Sequence, residues 1–245
     1  MIASIETVKA LVDGAERIVV LTGAGVSAES GVPTFRGADG LWNGLRAEDL
    51  AHPEAFARDP QKVWDFYNWR RDMLRQCRPN PAHEALAAME AATPSFNLIT
   101  QNVDGLHQQA GSESVLELHG NIWRVRCPQC TFKTEDHDVL PPLPKCPGCN
   151  ALLRPDVVWF GEQLEPGTLH SSVEAAANAD ILLVIGTSGL VQPAASLADL
   201  ANRHGAVTVE VNLEPTPNTG FMDFALHGKA GEILPRLMLQ PLLIG

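Results

Sequence analysis

An unbroken apolar run, Arg17-Ile18-Val19-Val20-Leu21-Thr22, leads straight into Gly23-Ala24-Gly25-Val26-Ser27-Ala28. Continuous β-branched and aliphatic text of this length belongs to a strand buried on both faces. Such a strand needs helices on either side of its sheet. The rest of the chain supplies them in alternation. Apolar periodicity predicts helices over 5–15, 53–77, 81–92, 104–110, 165–178, 193–204 and 228–239, and strands over 96–100, 115–118, 181–185 and 207–211. The expected fold class is α/β: a Rossmann-like doubly wound parallel sheet. Residues 31–46, rich in Gly and Asp and without period, read as a long loop of the functional kind.

Residues 121–156 change character, with paired cysteines and many prolines. The expected division is a Rossmann-like domain from 1–45, 93–120 and 157–245, a helical insertion over 46–92, and a smaller inserted zinc-binding module over 121–156. With 45% hydrophobic and 19% charged residues in 245, the chain has ample side chain for a core, which excludes a disordered protein. The net charge of −11 makes the average surface repel nucleic acid and anionic membrane, so neither is an expected partner. The start, Met1-Ile2-Ala3-Ser4-Ile5-Glu6, has no basic stretch followed by an apolar one, and no apolar run approaches the ~20 residues of a membrane span. The expected location is the cytoplasm.

Four of the five cysteines form two C-x-x-C pairs, Cys127/Cys130 and Cys146/Cys149, separated by 15 intervening residues. Thiolates at this spacing can surround a tetrahedral ion, and an all-thiolate tetrahedral site selects zinc. With no open position for water, that Zn2+ would be structural. Two redox dithiols are the rival reading.

The turn Gly23-x-Gly25-x-x-Ala28 between a strand and a short helix matches a dinucleotide-binding pattern, in which glycines allow close approach of a pyrophosphate. A plain tight turn is the alternative. The Asp or Glu expected about 20 residues on is missing, so a cofactor would sit differently from a hydride carrier. Three polar segments fall where parallel strands should end: Gln101-Asn102-Val103-Asp104, His119-Gly120 and Gly186-Thr187-Ser188. Strand ends of an open α/β sheet form the ligand crevice, and a histidine there can serve as general base.

These blocks, together with Glu29-Ser30-Gly31-Val32-Pro33-Thr34-Phe35-Arg36, the four cysteines and Asn212-Leu213-Glu214, resemble the sirtuins, NAD-dependent protein lysine deacylases, in order over residues 17 to 240. The resemblance implies NAD as cofactor and acylated lysine in proteins as substrate. It implies His119 as the general base. It places Asn102 and Asp104 at the nicotinamide ribose and nicotinamide, and Gly23, Ala24, Gly25, Ser27, Phe35 and Arg36 in the phosphate-binding turn and cofactor loop. Ala28, Thr34, Trp42 and Gln101 are further expected cofactor contacts. Gly186, Thr187 and Ser188 would meet phosphate and ribose, and Asn212, Leu213, Glu214 and Ala230 the adenosine. Val158, Phe160, Gly161 and Glu162 on one side and Gly189 on the other would flank a substrate peptide added as a strand.

Tyr67 and Arg70, spaced i, i+3, share a helix face. They resemble the Tyr-x-x-Arg of sirtuins that remove succinyl and malonyl groups, with Ala38 as the small residue that leaves room for a longer acyl chain. The competing reading puts Arg70 in a solvated basic patch with Arg71 and leaves a plain deacetylase. Mono-ADP-ribosyl transfer and a non-enzymatic zinc-ribbon binding module are further rivals.

Overall fold

The computed structural model describes residues 3–34, 41–42 and 44–238, without the side chains of residues 41, 42, 47 and 48. The strands are β1 (Arg17–Thr22), a short hairpin β2 (Leu41–Trp42) and β3 (Leu45–Arg46), β4 (Ser95–Thr100), β5 (Val115–Glu117), β6 (Gly120–Arg126), β7 (Lys133–Glu135), β8 (Arg154–Val157), β9 (Ile181–Ile185), β10 (Val207–Asn212) and β11 (Phe224–His227). The α-helices are α1 (Ile5–Asp13), α2 (Ala47–Leu50), α3 (Pro53–Arg58), α4 (Pro60–Leu74), α5 (Pro81–Ala92), α6 (Leu106–Gln109), α7 (Pro166–Ala177), α8 (Ser196–Arg203) and α9 (Ala230–Met238).

Six strands pair in parallel in the order β5-β4-β1-β9-β10-β11. By position in the chain these are the third, second, first, fourth, fifth and sixth strands of the sheet, the doubly wound dinucleotide-binding order. The winding reverses between β1 and β9, and the crevice of such a sheet opens at that reversal. Alternate residues of the central strands feed two cores. Ile18, Val20, Ile181, Leu183 and Ile185 pack under α1, α5 and α9, while Val19, Leu21, Leu182 and Val184 pack under α7 and α8. Burial on both faces is what the unbroken apolar runs encode.

A third core joins the helical arm to the antiparallel sheet β7-β6-β8, with Val63, Trp64, Phe66 and Tyr67 against Ile122, Val125, Cys127, Cys146 and Trp159. Trp64 Nε1 donates across this seam to the Leu153 carbonyl at 3.0 Å. The single helix predicted over 53–77 is two. Asp59 precedes Pro60 and adopts φ −149°, ψ 80°, because a residue before proline is pushed out of the helical region. Its carboxylate then accepts from the Lys62 amide at 3.0 Å and caps α4. The sequence also predicts no strand at 224–227, where β11 forms. Four residues paired along one side only leave too short a pattern to register. Among the described residues no helix is long and apolar enough to cross a membrane.

Candidate active site

Register alone assembles the crevice. Thr22 pairs with Thr100 of β4 and Ile185 of β9, Thr100 with Glu117 of β5, and Ile185 with Val211 of β10. The residues that follow, Gly23, Gln101, His119, Gly186 and Asn212, therefore emerge along one sheet edge. They line a cavity of about 740 Å³, a volume in the range that buries a small ligand. Gly23 and Gly25 turn out to serve their neighbour strand first. A Cβ on Gly25 would lie 2.7 Å from the Gly186 carbonyl oxygen, which already accepts from the Gly25 amide at 2.7 Å. Gly186 itself sits at φ +59°, and a Cβ there would meet the Val26 nitrogen at 2.4 Å, so only glycine is tolerated on either side of the reversal point.

Beneath the turn lies a buried polar layer. Ser27 Oγ donates to Asp104 Oδ2 at 2.8 Å and accepts from Asn102 Nδ2 at 3.2 Å. Asn102 Nδ2 also reaches the Gly23 carbonyl at 3.1 Å. Burial raises the Asp104 carboxyl above its ordinary range. His83 Nδ1 accepts from the Asn80 amide at 3.2 Å, which leaves Nε2 as the donor toward Ser27 Oγ at 3.4 Å. His107 Nε2 lies 3.0 Å from Thr22 Oγ1, which donates to Thr100 Oγ1 at 2.8 Å. Thr100 Oγ1 in turn receives the Asn102 amide at 3.1 Å.

His119 Nδ1 is 2.9 Å from the Gln101 carbonyl oxygen. A carbonyl only accepts, so Nδ1 carries the proton and Nε2 is left with a free lone pair. Burial lowers the pKa of this imidazole, which keeps it neutral near pH 7 and suits it to take a proton.

The opposite wall belongs to α4 and to the segment after β8. Tyr67 and Arg70 line the cavity and are both buried, at 3% and 9% exposure. A solvated basic patch with Arg71 is thereby ruled out. Arg71 is 1% exposed and donates to the carbonyls of Ile122, Asp136 and Asp138. Tyr67 Oη lies 2.9 Å from Trp159 Nε1. The indole is donor-only, so the tyrosine oxygen accepts and its own proton remains to be donated elsewhere. Burial pushes the Tyr67 hydroxyl up to about 12, and burial also lowers the Arg70 pKa, against the pull of Tyr67 and Asp104. Glu162 lines the cavity, but Arg154 holds its two oxygens at 2.5 and 2.8 Å. The amides of Val158, Trp159 and Phe160 donate to the His119 carbonyl, Glu162 and the Ala51 carbonyl. At these three residues an added strand would find carbonyl oxygens only.

The sulfurs of Cys127, Cys130, Cys146 and Cys149 lie within 4.8 Å of one another, with Cys127–Cys149 at 3.4 Å, Cys130–Cys146 at 3.6 Å and Cys130–Cys149 at 3.8 Å. Four ligands ~2.3 Å from a tetrahedral ion stand about 3.8 Å apart, so the donor set fits zinc with no open position.

The Sir2 family model matches residues 23–193. The chain belongs to the Sir2 family. An NAD-dependent protein deacylase of Pyrococcus furiosus is 52% identical over 227 residues, covering 90% of this chain and 91% of that protein. One from Aquifex aeolicus is 51% identical over 222 residues, covering 90% and 93%. Among solved structures, a Sir2 homologue in complex with NAD is 49% identical at TM-score 0.91, covering 95% and 91%. A Sir2 complex with a p53 peptide and NAD+ is 33% identical at TM-score 0.87, covering 96% and 98%. The cofactor of this Sir2 protein is NAD, and its four cysteines fit a structural zinc.

Of the residues expected at the Sir2 site, Gly23, Ala24, Gly25, Thr34, Gln101, Asn102, His119, Gly186, Thr187, Ser188, Asn212, Leu213 and Glu214 line the cavity, as do Tyr67, Arg70, Val158, Phe160, Gly161 and Glu162. Ser27 and Asp104 lie one layer below. Ala28 is exposed, and Ala230 opens α9, whose Gly231 amide donates to Glu29 at 2.8 Å. The Gly189 carbonyl accepts from Asn218 Nδ2 at 2.7 Å. Phe35, Arg36 and Ala38 fall outside the described residues, as does the Trp42 side chain. Sequence reasoning missed Phe66, Leu164, Gln192 and Thr216, which also line the cavity. Phe66 stands one residue from Tyr67, and Leu164 and Thr216 stand two from Glu162 and Glu214; Gln192 carries no signal of its own.

Proposed function

We propose that this Sir2 protein, an NAD-dependent protein deacylase, takes succinyl and malonyl groups as well as acetyl from protein lysines. One observation carries the acyl preference: a cation and a hydroxyl donor, Arg70 and Tyr67, are both buried in the cavity wall. A carboxylate brought into such a wall unpaired is costly. Arg70 meets it with a planar fork, and the Tyr67 proton left over from the Trp159 contact adds a hydrogen bond.

The rest of the reading follows the edge. NAD, when bound at this edge, would supply an electrophilic anomeric carbon for the acyl oxygen, with nicotinamide as the leaving group. His119 Nε2 would take the proton from the ribose hydroxyl that bonds to the acyl carbon, and one water would replace the lysine nitrogen on that carbon, so the products are nicotinamide, free lysine and O-acyl-ADP-ribose. Asn102 orients the nicotinamide ribose and Asp104 the nicotinamide. The Gly23–Gly25 turn, Thr34 and Gly186–Ser188 cradle phosphates and ribose, with Ser27 bracing the turn from below, and Asn212, Leu213 and Glu214 hold the adenosine side. Positive charge develops on the ribose, so the carbonyls and carboxyls at this edge assist bond cleavage. Cys127, Cys130, Cys146 and Cys149 hold one zinc that braces the inserted module. The three-part division at 46–92 and 121–156 and a cytoplasmic setting belong to the same reading.

The test is to incubate the protein with NAD and acetyl-, succinyl- or malonyl-lysine peptides and measure nicotinamide and acyl-ADP-ribose. Release with all three, faster with the two acids, is expected. Turnover of the acetyl peptide alone would leave a plain deacetylase. ADP-ribose attached to protein, without acyl-ADP-ribose, would point to mono-ADP-ribosyl transfer.

A further inference from the structure

The polar layer under the nicotinamide end is held from above by the reversal turn and from one side by a residue of the zinc-module sheet. Trp123, on β6 and 8% exposed, donates its indole N–H to the backbone carbonyl of Asp104 at 2.7 Å. Next to it, the Ile122 amide donates to the Val103 carbonyl at 2.9 Å. The ring cannot slide away. His137 stacks on it with centroids 5.0 Å apart and planes at 19°, and the guanidinium carbons of Arg71 and Arg75 stand 5.1 and 5.7 Å from its centroid. Both arginines are anchored in turn on the carbonyls of residues 136–138. The backbone of the Asp104 loop is shaped to admit the ring: Gly105 has φ +78°, and a Cβ there would lie 3.0 Å from Trp123 Cδ1. The Asp104 side chain is fixed by Ser27 and its main chain by Trp123.

We propose that Trp123 is a positioning residue for the nicotinamide end of the site. Its N–H, clamped by the seam between α4 and the zinc module, sets the peptide plane from which the Asp104 carboxyl projects. This inference rests on the reading of Asp104 as the residue that orients nicotinamide. Without the N–H, the Asp104 carbonyl loses its buried donor and the loop relaxes. NAD and nicotinamide, which share the group Asp104 meets, should both bind less well, while the acyl-peptide wall formed by Tyr67 and Trp159 is untouched.

The experiment compares the parent with Trp123→Phe and with β-(3-benzothienyl)alanine at position 123, which keeps the two-ring shape and lacks only the N–H. The readouts are KM for NAD, the inhibition constant of nicotinamide, KM for the acyl peptide, and Tm. Loss of one buried hydrogen bond predicts a rise of about two- to tenfold in both KM for NAD and the nicotinamide constant, with peptide KM unmoved. A merely structural tryptophan would lower Tm and the active fraction and leave those two constants at parent values. That result for the benzothienyl variant overturns the proposal even if the phenylalanine variant folds poorly. Asp104→Asn separates the two levels. If it shifts neither constant, the nicotinamide reading of Asp104 falls and Trp123 with it. If Asp104→Asn shifts both and the Trp123 variants shift neither, only the Trp123 assignment falls.

Discussion

The two walls of the cavity are built by different means. On the cofactor wall, strand register places main-chain turns and short polar side chains, and the close packing of Gly25 on Gly186 leaves almost no freedom in how they meet. On the acyl wall, long side chains from separate elements meet across a core: Tyr67 and Arg70 from α4, and Trp159 from the segment after β8. A wall set by backbone pairing changes only when the sheet changes. A wall set by side chains can be altered one residue at a time, at the cost of a local hydrogen bond or a small cavity. In the proposed reading, the common chemistry belongs with the first wall and the choice among acyl groups with the second.

Substitutions on either wall break or sharpen that contrast. The largest effect is expected at His119. His119→Ala removes a positioned base and should lower turnover ~10²–10⁴-fold. The decisive point is that the loss should be equal for acetyl, succinyl and malonyl peptides, with fold and zinc content retained. A variant keeping more than about a tenth of the parent rate would remove His119 from the role. Next is Arg70→Met on the acyl wall. Truncating one partner of a buried charge pair costs ~2–5 kcal/mol, or about 30- to several-thousand-fold in kcat/KM. Here the loss should fall on the succinyl peptide, so the succinyl-to-acetyl ratio collapses. An unchanged ratio would mean that both walls serve all acyl groups alike.

A third expectation concerns what lies under the cofactor wall. Burial lowers His83 from its ordinary 6.5 to about 4. Above pH 6.5 the residue is neutral in folded and unfolded chains alike. As the pH falls from 6.5 toward 4, the unfolded chain binds a proton that the folded one refuses, so stability drops with acid. Between pH 7 and pH 5 this amounts to about 2 kcal/mol. His107, also lowered by burial, acts in the same direction. Urea midpoints at the two pH values, in the parent and in His83→Gln, measure it. Equal pH slopes in both proteins would show that His83 contributes nothing.

The same contrast decides how much could be read from the chain. The cofactor wall was legible because burial on both faces writes an unbroken run such as Ile181–Ile185, and each strand end is marked by Gly23, Gln101, His119 or Gly186. The cysteine cluster was legible because each pair is local. The acyl wall was legible only as a spacing. Position i, i+3 puts Tyr67 and Arg70 on one face but does not say that this face is covered; α4 buries it together with Trp64, Phe66 and Arg71 and leaves Lys62, Asp65, Trp69 and Asp72 exposed on the other. Two arginines among the apolar residues of the covered face blur the contrast with that exterior stripe, so sequence alone did not assign Arg70 to the buried side. The Trp123 contact had no signal, since it depends on an arm and a module that meet only after folding.

The smallest effect tests the acyl wall at its finest grain. Tyr67 Oη accepts the Trp159 indole N–H, so its own proton is what it can give to an acyl carboxylate. Tyr67→Phe removes both contacts at once. The orphaned indole N–H, buried with Trp159 at 2% exposure, should cost about 1–3 kcal/mol of stability, visible as a lower Tm. The missing donor should lower the succinyl-to-acetyl ratio by about three- to tenfold, well short of the Arg70 effect because the charge is still met. The two consequences can be separated. Replacing Trp159 by Phe as well removes the orphan and should restore part of the Tm without restoring the ratio. If the ratio recovered with Tm, Tyr67 would be a packing residue only, and the carboxylate preference would rest on Arg70 alone.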